Sequence, residues 1–140
     1  MDTFDADVLI YAAVPDHPLG RRVLGLFSRA AASGGKAGAG SVLLLPEILG
    51  KPIRDGSATE VRALTSLLAR LDLTPLDRAT AELATALVSK YGLRAADAAH
   101  LATAVGLGAD RFITNNQRDF RVGITEIQVT YPVNLPDAPA

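Results

Sequence analysis

The sequence predicts an α/β fold: a three-layer sandwich in which helices cover both faces of a central parallel sheet of about five short strands. Short apolar segments alternate along the chain with longer segments whose apolar residues recur at helical spacing. Short, wholly apolar strands that alternate with helices are typical of a parallel sheet buried on both faces. With 140 residues, of which 49% are hydrophobic, the chain is expected to form one domain over residues 1–140.

Five strands are predicted where short apolar segments end in a turn or a helix signal. The first ends within the stretch FDADVLIYA, and the second is the apolar SVLLL. The Gly/Ala/Ser stretch at residues 30–40, between these two strands, is predicted as a loop after a helix. In chain order, the predicted strands are residues 3–5, 41–45, 71–74, 111–114 and 126–130.

The helices are predicted from capping residues and from apolar residues at helical spacing. Pro18 begins the second helix, because proline is favoured at the first helical position. Ser57 and Glu60 form a capping-box pattern, and Asp77 caps a later helix that Gly92 closes. In chain order, the predicted helices are residues 7–13, 18–32, 46 onward, 58–71, 77–91 and 94–105.

Composition excludes several classes of function. A net charge of −1, from 14 basic and 15 acidic residues, argues against binding to nucleic acid through a global positive field. With no cysteine, two histidines and no tryptophan, any metal site must use oxygen ligands, which suits Mg²⁺ or Mn²⁺. The apolar run at residues 8–15 is too short to span a membrane and follows no basic segment, so we expect neither a membrane span nor a signal peptide. With no cysteine, a reducing cytoplasm is the expected location.

Four acids stand where the predicted strands end or where the next helix begins: Asp5, Glu47, Asp97 and Asp119. Each has a local alternative, since the helix dipole favours acids such as Asp7, Glu47 and Asp97 in a first turn, and Asp119 suits an Asx turn. However, sites in parallel sheets form beyond the carboxyl ends of the strands. Carboxylates gathered there raise one another's pKa unless a cation neutralises them, so the pattern predicts a divalent metal site.

Four segments of the sequence resemble motifs of the PIN domain family, in family order over residues 4–120. FDADVLIYA is similar to the opening motif, VLLLPEIL to the segment with the second acid, LRAADAAHLATA to the third-acid helix and RFITNNQRDF to the strand and loop with the fourth acid. LRAADAAHLATA is the most specific match. PIN domains are small metal-dependent ribonucleases and include the VapC toxins of toxin–antitoxin pairs.

The resemblance implies that Asp5, Glu47 and Asp97 are catalytic, metal-binding acids. Asp7 stands where the family commonly has asparagine, and is expected to cap the helix behind Asp5. The chain departs from the family at the fourth acid, where Asn116 takes the usual place of aspartate. Asp119, three residues further on, is then the expected fourth ligand, either direct or through water.

The function implied is that of a Mg²⁺- or Mn²⁺-dependent endoribonuclease that hydrolyses RNA with metal-bound water. Such a toxin would form a homodimer, be inhibited by an antitoxin protein, and act on tRNA, rRNA or mRNA. Thr114 and Arg118 are the predicted substrate-binding residues, and Arg94 and Arg121 are further candidates for RNA phosphate.

Two other functions compete with this one. Without the fourth acid, the chain could be a catalytically weakened PIN-like module that binds or regulates a partner. A response-regulator receiver is rejected, because its third strand should lead directly into an acid and its last into a lysine, whereas no lysine follows Lys90.

His100, three residues after Asp97, is either a general base or a packed and paired residue, and we favour the second interpretation.

Overall fold

The computed structural model describes residues 1–121 and 123–137, and its centre is a five-stranded sheet. All pairings are parallel, and the strand order is β3-β2-β1-β4-β5. The predicted fold class is confirmed. The strands are β1 (Asp2–Phe4), β2 (Gly38–Ser41), β3 (Leu71–Thr74), β4 (Arg111–Ile113) and β5 (Gln128–Thr130).

Six α-helices connect the strands in the described part of the chain. They are α1 (Ala6–Ala13), α2 (Pro18–Ala32), α3 (Leu44–Arg54), α4 (Ala58–Leu68), α5 (Arg78–Tyr91) and α6 (Ala95–Gly106). A short 3₁₀ helix (Pro132–Asn134) follows β5. None of the helices within the described residues has both the length and the apolar character needed to cross a membrane.

The core consists of two apolar clusters, one on each face of the sheet. Neighbouring side chains of a strand point to opposite faces, and Phe112 and Ile113 of β4 belong to different clusters. The first cluster packs α1 to α4 around Phe4, and the second packs α5 and α6 around Phe112. Both faces of the sheet are therefore covered, as the sequence predicts.

The second strand is wrongly placed by the sequence pattern. It is formed by Gly38–Ser41, whereas the apolar run after it forms a turn and the start of α3. A side chain at Gly38 would lie 2.2 Å from the carbonyl oxygen of Asp2, and one at Gly40 would lie 2.6 Å from Leu44. Small residues are needed in this strand because neighbouring groups already fill the space. The loop predicted at residues 30–40 is therefore only residues 33–37, between α2 and β2.

Most predicted helix ends are confirmed to within two residues, but α4 ends at Leu68 and not at residue 71, because residue 71 begins β3. The Asp77 side chain accepts a hydrogen bond from the Thr80 N–H at 2.8 Å, and Gly92 adopts φ +69° just after α5. Ser57 precedes α4 as predicted, but its side chain makes no capping hydrogen bond, so the capping box is not formed.

The strand order sets the position of the candidate site. β1 lies at the centre of the sheet, between β2 and β4, and the chain runs outward from it in both directions. Clefts form at such a reversal in strand order, beyond the carboxyl ends of the strands. The segments that follow β1, β2 and β4 therefore meet at this end of the sheet.

Glu126 provides a pH-dependent contribution to stability away from that end. The hydroxyl of Tyr91 and the Lys90 ammonium, 3.0 Å from Glu126 Oε2, lower the pKa of Glu126 to about 2. A depressed carboxyl pKa stabilises the fold above the ordinary pKa, and this stabilisation is lost as the pH falls towards 2. We therefore expect Glu126→Gln to lower the urea midpoint at pH 6, with the difference closing near pH 2. A difference that stays constant over this range would contradict the prediction.

Candidate active site

Asp5 lies at the centre of the site, directly after β1. It is the N-cap of α1 and only 6% exposed. Its Oδ1 accepts a hydrogen bond from the Ala6 N–H at 2.8 Å, and its Oδ2 accepts one from the Thr114 hydroxyl at 2.8 Å. Burial raises the pKa of Asp5, and the charge of Glu47 raises it further, against the lowering effect of the Thr114 hydroxyl. Asp5 is thus a buried carboxylate that two hydrogen bonds fix in position.

Asp7 does not cap α1, contrary to the prediction. It lies in the first turn of the helix, and Asp5 occupies the cap position. Asp7 accepts hydrogen bonds from the N–H groups of Val8, at 2.7 Å, and Asn115, at 3.1 Å. Burial, followed by the charge of Asp5, raises its pKa to about 7. The second of these hydrogen bonds ties α1 to the loop after β4.

Glu47 enters the site from the first turn of α3, where its carboxylate meets His100 of α6. Glu47 Oε1 and His100 Nε2 are 3.0 Å apart, and the imidazole side chain is only 1% exposed. His100 Nδ1 is buried and has no hydrogen-bond partner in the described part of the chain. We therefore assign the proton to Nε2, so that His100 donates to Glu47. His100 is a packed, paired residue, as the sequence analysis favoured.

Asp97 lies half-buried in the first turn of α6, as predicted. Burial is the first cause of its raised pKa, and the charges of Asp5, Asp119 and Glu47 also raise it. The four predicted acids therefore lie near enough to one another to interact electrostatically. A group of carboxylates that destabilise one another's charge is typical of a site that takes up a cation.

Asp119 is held by the residue that replaces the usual fourth acid. Asn116 Nδ2 donates to Asp119 Oδ2 at 3.0 Å, and the Asp119 N–H donates to Asn116 Oδ1 at 3.3 Å. The side chain that accepts a backbone N–H in this loop is therefore that of Asn116, and not that of Asp119 as the Asx-turn interpretation expects. The charge of Asp119 still acts on Asp97. Whether Asp119 is a metal ligand stays a prediction.

Thr114 is completely buried, and its hydroxyl is engaged within the protein. It donates to Asp5 at 2.8 Å and accepts from the Asn116 N–H at 3.1 Å. Its position is that of a residue that orients Asp5, and its predicted contact with substrate stays a prediction. Arg118 lies exposed beside Asp119, at the edge of the site.

The acidic side chains of the site offer only oxygen donors, which suits a hard divalent cation. The one central imidazole uses its Nε2 on Glu47, and its Nδ1 is buried. Over residues 1–121 and 123–137, however, no three acidic or histidine side chains are arranged to hold an ion. Two of the four acids are turned towards neighbours instead, Glu47 to His100 and Asp119 to Asn116.

Two contacts in this site were not predicted. The sequence places Asp97 and His100 one turn apart on a helix, which indicates a shared location but not that Glu47 is the partner. The contact between Asp7 and Asn115 joins segments 108 positions apart. No local pattern indicates it.

Comparisons with known proteins confirm the family resemblance of the sequence. The family model described as "PIN domain" matches residues 3–123. A comparison with curated proteins found no significant match.

Three solved structures share the fold over nearly the whole chain. A toxin–antitoxin complex from Klebsiella pneumoniae contains a chain that is 25% identical, with a TM-score of 0.64 and coverage of 94% of this chain and 98% of that one. VapBC2 from Rickettsia felis, bound to a DNA fragment from its promoter, gives 15% identity, a TM-score of 0.67 and coverage of 93% and 97%. FitAB bound to an IR36 DNA fragment gives 18% identity, a TM-score of 0.71 and coverage of 97% of this chain and 98% of that one. The family match spans most of the chain, and the chain therefore belongs to the PIN domain family.

Proposed function

We propose that this PIN domain is a metal-dependent endoribonuclease that hydrolyses RNA phosphodiesters and acts as the toxin of a toxin–antitoxin pair. One observation carries the proposal: Asp5, Glu47 and Asp97 come from three distant segments, and their charges act on one another at one end of the sheet. Membership of the PIN family supports the nuclease activity. The toxin–antitoxin names of similar structures support the biological role.

Mg²⁺ or Mn²⁺ is the proposed cofactor. Asp5 and Asp97 would be its principal ligands, and Glu47 and Asp119 would join them directly or through water. When bound, a divalent ion polarises the phosphoryl oxygen, lowers the pKa of the attacking water and offsets the charge on the leaving oxygen.

The chain's own residues would position these groups and move one proton. Thr114 holds the Asp5 carboxylate, and His100 holds Glu47 through Oε1. Glu47 Oε2 has no hydrogen-bond partner among the described residues, so it is the atom that would accept the proton of the attacking water. The P–O3′ bond breaks as the bond from phosphorus to the water oxygen forms. The 3′ oxygen takes up a proton from solvent, and Glu47 afterwards returns the proton it accepted to solvent. The products carry a 5′-phosphate and a 3′-hydroxyl.

The proposed partners follow from the toxin role. An antitoxin protein would cover the acidic cleft, the chain would form a homodimer, and both would act in the cytoplasm. The three structural neighbours support an antitoxin, because one is named a toxin–antitoxin complex and the other two are named as paired systems, VapBC2 and FitAB.

A binding or regulatory module is the second candidate function. Asn116 stands in place of the usual fourth acid and holds Asp119 through two hydrogen bonds, which favours a site that binds metal weakly. Stabilisation of the fold by a metal would distinguish the two functions, because an ion that binds only the folded state stabilises it.

Asp97→Asn tests the proposed activity. With Mg²⁺ or Mn²⁺, we expect the wild type to cleave RNA and the variant to lose roughly 10²-fold or more in rate, as for other groups that stabilise transition-state charge. Asp72→Asn is the matched control, because Asp72 is an exposed acid of the edge strand β3. Equal cleavage by wild type and Asp97→Asn would show that a contaminant is active or that Asp97 has no catalytic role.

A further inference from the structure

A cavity of about 380 Å³ opens beside the acidic centre, on the side of Asp119. Asp119 lines this cavity, and its charge also acts on Asp97. The other lining residues include Lys90, Tyr91, Gly92, Arg118 and Arg121. A ligand in this cavity would therefore lie next to the carboxylates of the active site.

The lining of the cavity is mainly positive, although the chain as a whole has a net charge of −1. Lys90 is partly neutralised by Glu126, at 3.0 Å. Arg118 and Arg121 are exposed, and neither has an acidic partner within 4.0 Å in the part of the chain that the structure describes. Two guanidinium groups are therefore available to an anionic ligand.

The loop that carries the two arginines is held in place by its neighbours. The Arg121 Nε donates to the carbonyl of Arg118 at 3.2 Å. Between them, Phe120 is completely buried, packs edge-on against Phe112 with ring centroids 5.0 Å apart, and accepts a hydrogen bond from the Tyr131 hydroxyl at 2.6 Å. A fixed loop reduces the entropy cost of binding a ligand.

These features point to a phosphate group as the ligand. Guanidinium groups match phosphate oxygens with two parallel hydrogen bonds. An acidic centre repels a polyanion, so an RNA strand needs local positive charge where it approaches the scissile bond. The cavity is large enough for a nucleotide, and Tyr91 is one of its lining residues, with the Lys90 ammonium 5.2 Å from its ring centroid. An aromatic residue beside cationic groups suits a single strand, whose bases are free to stack.

We propose that the cavity lined by Arg118 and Arg121 binds the phosphate next to the scissile one in a single-stranded RNA. This inference rests on the proposed nuclease function and specifies how its substrate is held. Arg118 and Arg121 act by positioning the strand, and neither touches the reacting atoms.

The test measures RNA binding separately from cleavage. A fluorescein-labelled oligouridine is titrated with Asp97→Asn protein, alone and combined with Arg118→Gln and Arg121→Gln, by fluorescence anisotropy at several salt concentrations. We expect the double arginine change to weaken binding by roughly tenfold or more. The slope of log K against log salt should fall by about 0.7 for each lost phosphate contact.

Arg29→Gln is the matched control, since Arg29 is exposed on α2, which packs with the other apolar cluster. The proposal would be overturned if the double arginine variant bound oligouridine with the same affinity and salt slope as Arg29→Gln. Unchanged oligouridine binding, with lost binding to a polyglutamate peptide, would assign the cavity to an acidic protein partner instead. Equal loss for oligouridine and oligothymidine would support a phosphate ligand, since both strands carry the same backbone charge.

Failure of this proposal and failure of the nuclease function give different results. If the wild type does not cleave RNA but the arginine changes still weaken binding, the activity is wrong and the phosphate site stands. If cleavage depends on Asp97 while the arginine changes alter neither binding nor KM, the activity stands and the phosphate site is wrong. A raised KM with little change in kcat would support both.

Discussion

Replacing Asp5 by asparagine is expected to stabilise the protein in chelator while removing its response to Mn²⁺. Burial and the charge of Glu47 both raise the pKa of Asp5, so the ionised carboxylate destabilises the metal-free fold at neutral pH. Asparagine has nearly the same shape without the charge, and its single carbonyl oxygen keeps one of the two hydrogen bonds that Asp5 accepts. The expected net gain is about 0.5–2 kcal/mol, the usual range for a single stabilising substitution, or a rise in Tm of roughly 2–8 °C.

In millimolar Mn²⁺, the wild type is expected to be more stable than Asp5→Asn. An ion that binds the folded wild type at 100 times its Kd adds about 2.7 kcal/mol, whereas the variant lacks the buried charge that attracts the ion. The measurement is a thermal melt of both proteins in chelator and in Mn²⁺. This comparison also separates the two candidate functions, because a module that binds no metal would show no Mn²⁺ response in the wild type.

Asp16→Asn is the matched control for this experiment. Asp16 is exposed in the turn after α1 and has φ 60°, a conformation that asparagine tolerates. It should leave both the Tm in chelator and the Mn²⁺ response unchanged. If Mn²⁺ stabilises Asp5→Asn as much as it stabilises the wild type, Asp5 is not a ligand.

The elements that sequence predicts well are those fixed by local chemistry. The third strand occupies the predicted residues 71–74, and the helix between Asp77 and Gly92 has both of its predicted ends. An N-cap aspartate and a glycine in the left-handed conformation act through backbone groups a few positions away, so their effect is visible in sequence.

The second strand shows where local patterns fail. The apolar run at residues 42–45 has the composition of a buried strand, yet the strand is the small-sided Gly38–Ser41. Its residues are selected by the closeness of Asp2 and Leu44, which are distant in sequence or belong to the next element. Packing between elements outweighs strand propensity in such a position.

The candidate site shows the same difference between features fixed locally and features fixed by packing. The positions of Asp5, Glu47 and Asp97 follow from strand ends and helix starts, which sequence reveals. The direction of each carboxylate depends on partners from other elements: Thr114 for Asp5, and His100 for Glu47. Sequence therefore located the acids, while the hydrogen bonds that orient them required the structure.

Gly20 lies at a close crossing of α1 and α2, at the end of α1 opposite to Asp5. Asp5 caps α1, and Gly20 lies buried where α2 meets the other end of that helix. A Cβ atom at Gly20 would lie 2.1 Å from the carbonyl oxygen of Tyr11 and 3.0 Å from the N atom of Ala12. Both are backbone atoms, so no side chain can move aside to make room.

Gly20→Ala is therefore expected to be strongly destabilising. Overpacking costs about 1–3 kcal/mol, and this change should reach the upper part of that range because α1 and α2 must separate, lowering the Tm by roughly 6–12 °C. Gly50→Ala is the matched control: Gly50 is exposed within α3 with no atom within 4 Å of an added Cβ, so alanine should stabilise the helix by up to about 1 kcal/mol. Urea denaturation of both variants measures whether the free energy of unfolding falls for Gly20→Ala and rises for Gly50→Ala. If the crossing positions Asp5, Gly20→Ala should also reduce cleavage at temperatures where the variant is still folded, and loss of stability with unchanged cleavage there would show that α1 tolerates displacement at its far end.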